Sequence, residues 1–151
     1  MTTTPLAGKA ALVTGGAKRV GKAVALALAG QGCDVAITYL TSAAEARDTV
    51  AQIEATGRRA AMIDADLGEA DAPDRVRAAI REAFDRLDIL VNNASAFEPT
   101  DDAGMTTEQF DRMIAVNARG PVMLTQRLAP MLAEHANVDE PASLGRVVNF
   151  I

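Results

Sequence analysis

One segment constrains this chain more than any other: Thr14-Gly-Gly-Ala-Lys-Arg-Val-Gly21. Before it stands a short apolar run, Lys9-Ala-Ala-Leu-Val-Thr14. An apolar run ending in glycines suits a buried parallel strand. After it comes Val20 to Gly30, with Val20, Val24, Leu26 and Leu28 set among alanines, which are strong helix formers. A glycine turn between a strand and a helix has a specific use. Glycine lets the backbone turn sharply and lets a ligand approach closely. The helix that follows offers free N–H groups and the positive end of its dipole to a phosphate. An ordinary strand-to-helix turn is the alternative, and the strand–helix–strand context favours a nucleotide.

The alternation continues along the chain. Cys33–Thr38, Arg59–Asp64, Asp88–Asn92 and Arg146–Ile151 read as further strands. Ser42–Thr56 has a helical pattern, with Ser42 and Glu45 spaced as a capping box and Gly57 as a stop. Pro73–Leu87 places Val76, Ile80, Ala83, Phe84 and Leu87 on one helical face. Thr106 to about Glu134 reads as one long helix that opens with a Thr106/Gln109 capping box. Polar composition and Pro141 make His135–Gly145 a surface loop. Five strands joined by helical crossovers predict an α/β fold with a doubly wound parallel sheet. Residues 1–151 form a single unit. The apolar fifth strand has nothing after it to cover it, which leads us to expect a domain truncated after that strand.

Composition narrows the classes. A net charge of −5 disfavours general binding to nucleic acid or anionic membranes. Aromatic residues at 3% supply no stacking platform for single strands. One cysteine, Cys33, and one histidine, His135, exclude a disulfide framework and Cys- or His-rich metal sites, so no metal is expected. Cys33 is expected to pack as a small hydrophobe and His135 to be solvated. No apolar run reaches the ~20 residues of a membrane span, and Met1–Gly8 lacks the features of a signal peptide. The expectation is a soluble, cytoplasmic protein.

The glycine segment resembles the Thr-Gly-x3-Gly-x-Gly motif of the short-chain dehydrogenase/reductase family, with Arg19 in place of the middle glycine. Three further marks follow in that family's order: Asp64-Ala-Asp66-Leu67, Asn92-Asn-Ala-Ser95 and Val116-Asn117. The resemblance spans essentially the whole chain and implies a Rossmann fold. It implies that Asp66 contacts the adenine ring and that Asn117 is the catalytic asparagine, whose main-chain carbonyl holds a water of the proton relay. Arg19 and the sequence Asn-Asn-Ala-Ser-Ala-Phe97 are similar to the pteridine reductase branch. There the arginine contacts cofactor phosphate and substrate, and the phenylalanine stacks on the pterin. Arg19 and Phe97 are thus substrate candidates, with a packing role in a mobile loop the alternative for Phe97. Candidate cofactor contacts are Gly15, Lys18, Arg19, Val20, Gly21, Thr41, Ser42, Asp66, Leu67, Asn93, Ala94 and Ser95.

The residues themselves bear on cofactor choice and on the long helix. NAD-specific sites place a carboxylate after the second strand to hold the ribose 2′-OH. Here that stretch is Thr38-Tyr-Leu-Thr-Ser42, which repels no 2′-phosphate, and Lys18 and Arg19 add positive charge. NADP(H) is therefore expected over NAD(H), although solvated surface charge is another reading of the two cations. Second, Pro121 has no N–H, so the carbonyl of Asn117 loses its helical partner. A free acceptor for the relay, or a kink that serves packing, would follow.

The family's acid–base pair, Tyr-x3-Lys, is absent. The single tyrosine, Tyr39, has alanine four positions on, and the lysines are Lys9, Lys18 and Lys22. The expectation is an NADP(H)-dependent reductase in its complete form, acting on a small carbonyl or pterin substrate as a homo-oligomer, dimer or tetramer. These 151 residues alone are expected to bind nucleotide weakly and to be inactive. A non-catalytic NADP sensor is the competing reading.

Overall fold

The computed structural model describes residues 4–150. Five parallel strands form one sheet in the order β3-β2-β1-β4-β5. They are β1 (Ala10–Val13), β2 (Asp34–Tyr39), β3 (Ala60–Asp64), β4 (Ile89–Asn92) and β5 (Arg146–Asn149). The helices between them are α1 (Arg19–Gly30), α2 (Ala43–Glu54), α3 (Ala72–Phe84), α4 (Thr107–Ile114) and α5 (Gly120–Ala133). The chain builds outward from β1 to β3, then returns to pair β4 with the other edge of β1. That reversal creates a crevice beyond the carboxyl ends of β1 and β4, where ligands bind in open α/β sheets.

The short apolar strands are apolar on both faces because helices cover both. In β1, Ala10 and Leu12 point into one core, with Val76, Ile80 and Phe84 of α3 and Leu124, Leu128 and Met131 of α5. Ala11 and Val13 point into the other, with Ala25 and Ala29 of α1 and Ala46 and Ile53 of α2. The expected doubly wound arrangement is what the chain adopts. Cys33 is fully buried in the second core, and desolvation, with Asp88 and Asp34 nearby, pushes its thiol up to about 12. The edge strand β5 is exposed along its length and, among the described residues, pairs only with β4. Asn92 ties it in, donating from Nδ2 to Asn149 Oδ1 at 2.8 Å and to Thr125 Oγ1 at 3.2 Å. Ile151, expected to end that strand, lies outside the described residues.

Several local expectations need correction. Ser42 does not cap α2: its backbone (φ −96°, ψ 53°) leaves the extended region a cap requires, and its side chain accepts no bond from the helix. Thr106, at φ −76° and ψ 161°, does form its capping box, its hydroxyl accepting from Gln109 N at 3.2 Å. The expected long helix is two helices joined by a π turn, Ala115–Arg119, in which Gly120 N–H bonds back to Ala115 O. The turn sits where Pro121 supplies no N–H. Helix α3 stops at Phe84 because Asp85 turns left-handed, at φ 56°. Arg86 therefore lies outside the helix and pairs with Asp88, through Nε at 2.8 Å and Nη2 at 2.6 Å.

Candidate functional site

The loops after β1 to β4 enclose a cleft of about 560 Å³, within the range of small-ligand sites. Gly15, Lys18, Arg19, Val20, Gly21, Thr41, Ser42, Asp66, Leu67, Asn93, Ala94, Ser95 and Phe97 all line it. Asn117 does not.

The turn after β1 is held open from behind. Thr14 is 1% exposed, and its hydroxyl oxygen accepts from Asn93 N and Ala94 N, both at 2.9 Å. The same hydroxyl donates to Val91 O at 3.4 Å. Asn93 returns the contact: its Nδ2 donates to Thr14 O at 2.9 Å and Gly15 O at 3.2 Å. Thr38 Oγ1 accepts from Gly15 N at 3.1 Å. Gly15 has φ +64°, and a Cβ there would meet Ala94 Cα at 3.0 Å. A Cβ on Gly21 would overlap Gly15 O and come within 2.5 Å of Asn93 Nδ2. The glycines thus let two loops interlock without filling the cleft. Thr14 and Thr38 were not among the expected site residues. Their role is to brace the backbone, and a threonine in a β-branched strand gives no separate signal of that.

Helix α1 points its N-terminus into this cleft. Lys18, at its cap position, makes no side-chain cap bond, and no acidic residue occupies the first turn. Its leading N–H groups are left without side-chain acceptors, which suits an incoming anion. Arg19 opens the helix with φ +53°, a left-handed conformation that glycine adopts freely and arginine does not. That explains why a glycine is common at this place in the motif and marks the arginine as unusual.

At the far end of the cleft, Asp66 follows β3. Gly68 N and Arg112 Nη1 both donate to its Oδ1, each at 2.9 Å. Burial raises the carboxyl pKa, but the hydrogen bonds from Arg112 and Gly68 and the charges of Arg112 and Arg75 outweigh it. The group stays below the usual carboxylate range and is ionised at neutral pH. Arg112 lines the cleft as well and was not anticipated. Its partner lies 46 residues away in sequence, so no local pattern reveals the pair.

Asn117 sits in the π turn, and its amide grips the loop after β4. Oδ1 accepts from Ala96 N at 2.7 Å, and Nδ2 donates to Ala96 O at 2.8 Å. The next residue, Phe97, is 81% exposed and lines the cleft.

A parallel sheet with its crevice at the switch point, a glycine turn and an uncapped helix N-terminus define a dinucleotide-binding α/β protein. Residues 9–150 match the family model described as short chain dehydrogenase, and the chain belongs to that family. It is 33% identical over 147 residues to a 3-oxoacyl-[acyl-carrier-protein] reductase of Synechocystis, covering 97% of this chain and 57% of that protein. It is 37% identical over 121 residues to the short-chain dehydrogenase/reductase FrzI of Cladobotryum, covering 80% of this chain and 47% of the relative. Among solved structures, a Burkholderia cenocepacia short chain dehydrogenase in complex with NADP superposes with a TM-score of 0.82 at 43% identity, over 96% of this chain and 56% of that one. Pseudomonas aeruginosa RhlG, in an NADP active-site complex, gives 0.85 at 32% identity, over 99% and 57%. The chain spans about half the length of the curated relatives it matches. Among the described residues no helix is long and apolar enough to cross a membrane.

Proposed function

We propose that this chain is the NADP(H)-binding part of a short-chain reductase that delivers hydride to a small carbonyl compound or to a pterin C=N bond. The observation that carries this is the N-terminus of α1. It opens uncapped on the cleft with Lys18 and Arg19 beside it, and Tyr39–Ser42 present no carboxylate across from it. The close packing that Gly15 and Gly21 allow between the two loops leaves the cleft in front of α1 open for a pyrophosphate, and NADP-bound relatives with the same fold support the choice of cofactor.

In this reading Lys18, Arg19, Thr41 and Ser42 hold the 2′-phosphate and pyrophosphate, and Asp66 and Leu67 the adenine. Val20, Asn93, Ala94 and Ser95 wall the path toward the nicotinamide. Bound there, the dinucleotide supplies hydride. Phe97 and Arg19 face the substrate end, and Phe97 at the mouth is what favours a flat, stackable substrate such as a pterin. Asn117 fixes the Ala96–Phe97 backbone through its amide, and its main-chain carbonyl, opposite the missing N–H of Pro121, is offered to a relay water. No tyrosine here is followed four residues on by lysine. We therefore take this chain alone to bind dinucleotide without turning over, and the complete protein to act as a cytoplasmic homo-oligomer.

Titration with NADPH and NADH tests the reading. A charge-assisted contact to the 2′-phosphate is worth about ten- to a hundredfold in affinity. NADPH should bind tighter by that factor, and equal or tighter NADH binding would refute the cofactor assignment. NADPH consumption by the complete protein with a dihydropterin against an acetoacetyl compound separates the two substrate classes.

A further inference from the structure

We propose that Arg112, on α4, is a positioning residue that makes the cleft selective for a 6-aminopurine. This rests on the dinucleotide reading above but concerns a residue which that reading leaves without a role. Two donors from different elements, Arg112 Nη1 and Gly68 N, converge on the same oxygen of Asp66. Among the described residues the structure records no hydrogen bond to the other oxygen, Oδ2. Asp66 and Arg112 both line the cleft, with side chains 22% and 35% exposed. One oxygen is pinned and the other is left as an acceptor at the base end.

A carboxylate accepts hydrogen bonds and cannot donate them. The oxygen left free, Oδ2, held in place because Oδ1 is pinned, therefore suits the exocyclic amino group of adenine. It repels the carbonyl oxygen that hypoxanthine or guanine carries at the same position. Without Arg112 the carboxylate would keep only one short-range donor, the Gly68 N–H two residues on, and could rotate.

A second observation supports the pair as built. A Cβ on Gly68 would lie 2.5 Å from Arg112 Nη1 and 3.1 Å from Asp66 Oδ1. The backbone at residue 68 is not in the left-handed region that would itself call for glycine. Its lack of a side chain serves the space that the guanidinium occupies. Arg119 reinforces the arrangement by donating to Gly68 O.

The test compares the dissociation constants of the chain for NADPH and for its hypoxanthine analogue, nicotinamide hypoxanthine dinucleotide phosphate in reduced form. The wild type should prefer the adenine form by about tenfold or more, as a hydrogen bond to a charged group allows. Arg112→Gln and Gly68→Ala should each shrink that ratio to about threefold or less, mainly by weakening NADPH. Arg112→Lys, which keeps a cationic donor, should retain most of it. Should Arg112→Gln fail to fold, the Gly68→Ala and Arg112→Lys ratios decide. An unchanged ratio in the variants, or an equal loss for both dinucleotides, overturns the proposal and leaves Arg112 as a general cation near the cleft. A wild type that binds both forms equally also overturns it while leaving the dinucleotide site intact. A wild type that binds neither overturns the reading underneath.

Discussion

Replacing Thr14 by valine removes one hydroxyl and almost no volume. In the native structure that oxygen receives two backbone N–H groups, from Asn93 and Ala94, and gives its own proton to Val91 O. Valine leaves the two N–H groups without their acceptor at a position that is 1% exposed. An unsatisfied buried donor costs about 1–3 kcal/mol, so two cost about 2–6. The added methyl returns about 0.8 kcal/mol, and partial access of water to the cleft side lowers the cost further. We expect a net loss of about 3 kcal/mol. With a urea dependence of about 2 kcal/mol per molar, the unfolding midpoint should fall by ~1.5 M. Thr14→Ser, which keeps the oxygen and loses the methyl, should cost about 1 kcal/mol or less. Equilibrium urea unfolding followed by far-UV circular dichroism reads both. A valine variant within ~0.3 M of the wild type, or no more affected than the serine variant, would mean that the hydroxyl does not brace the two loops.

Asp88 offers a pH-dependent test. It is 4% exposed and accepts from Ala10 N at 2.9 Å, from Arg86 and from Lys9. Burial raises its pKa, yet the hydrogen bonds from Arg86 and Ala10 and the charges of Arg86 and Lys9 hold it below the usual carboxylate value. A depressed folded pKa means stability that is present above the unfolded value and lost as pH falls through the folded one. Asp88→Asn should be less stable than the wild type by about 2 kcal/mol at pH 7, and the gap should close below about pH 4; a gap that persists at pH 2 would contradict the ionic account. Arg19→Gly separates function from folding. Glycine relieves the positive φ, so stability should change by no more than about 1 kcal/mol, while NADPH affinity should drop about ten- to a hundredfold. A matched loss of both would assign Arg19 a structural role.

What the sequence made legible follows the range of the forces involved. Continuous apolar runs and helical apolar patterns depend on neighbours along the chain, so the order of strands and helices and the two-faced sheet could be read directly. The cleft wall could be read too, because glycines and an alanine-rich helix stand next to each other. Ser42 misleads because Ser-x-x-Glu and Thr-x-x-Gln look equivalent as strings. Only the backbone bend at residue 42, which also forms the cleft wall, tells them apart. The break in the long helix was half legible: Pro121 announces a lost bond but not a π turn. Arg112, Thr14 and the Asn117 side chain act on partners 46, 79 or 80, and 21 residues away. No spacing rule reaches that far.

The π turn also has a mechanical meaning. Gly120, just past it, presses so closely on the loop after β3 that a Cβ there would stand 2.6 Å from Leu67 O. On its other side the turn holds Ala96 through Asn117. A single rigid strut therefore touches both rims of the crevice, the one behind Asp66 and the one carrying Phe97. Any sliding or tilting of that strut must displace the two rims in concert.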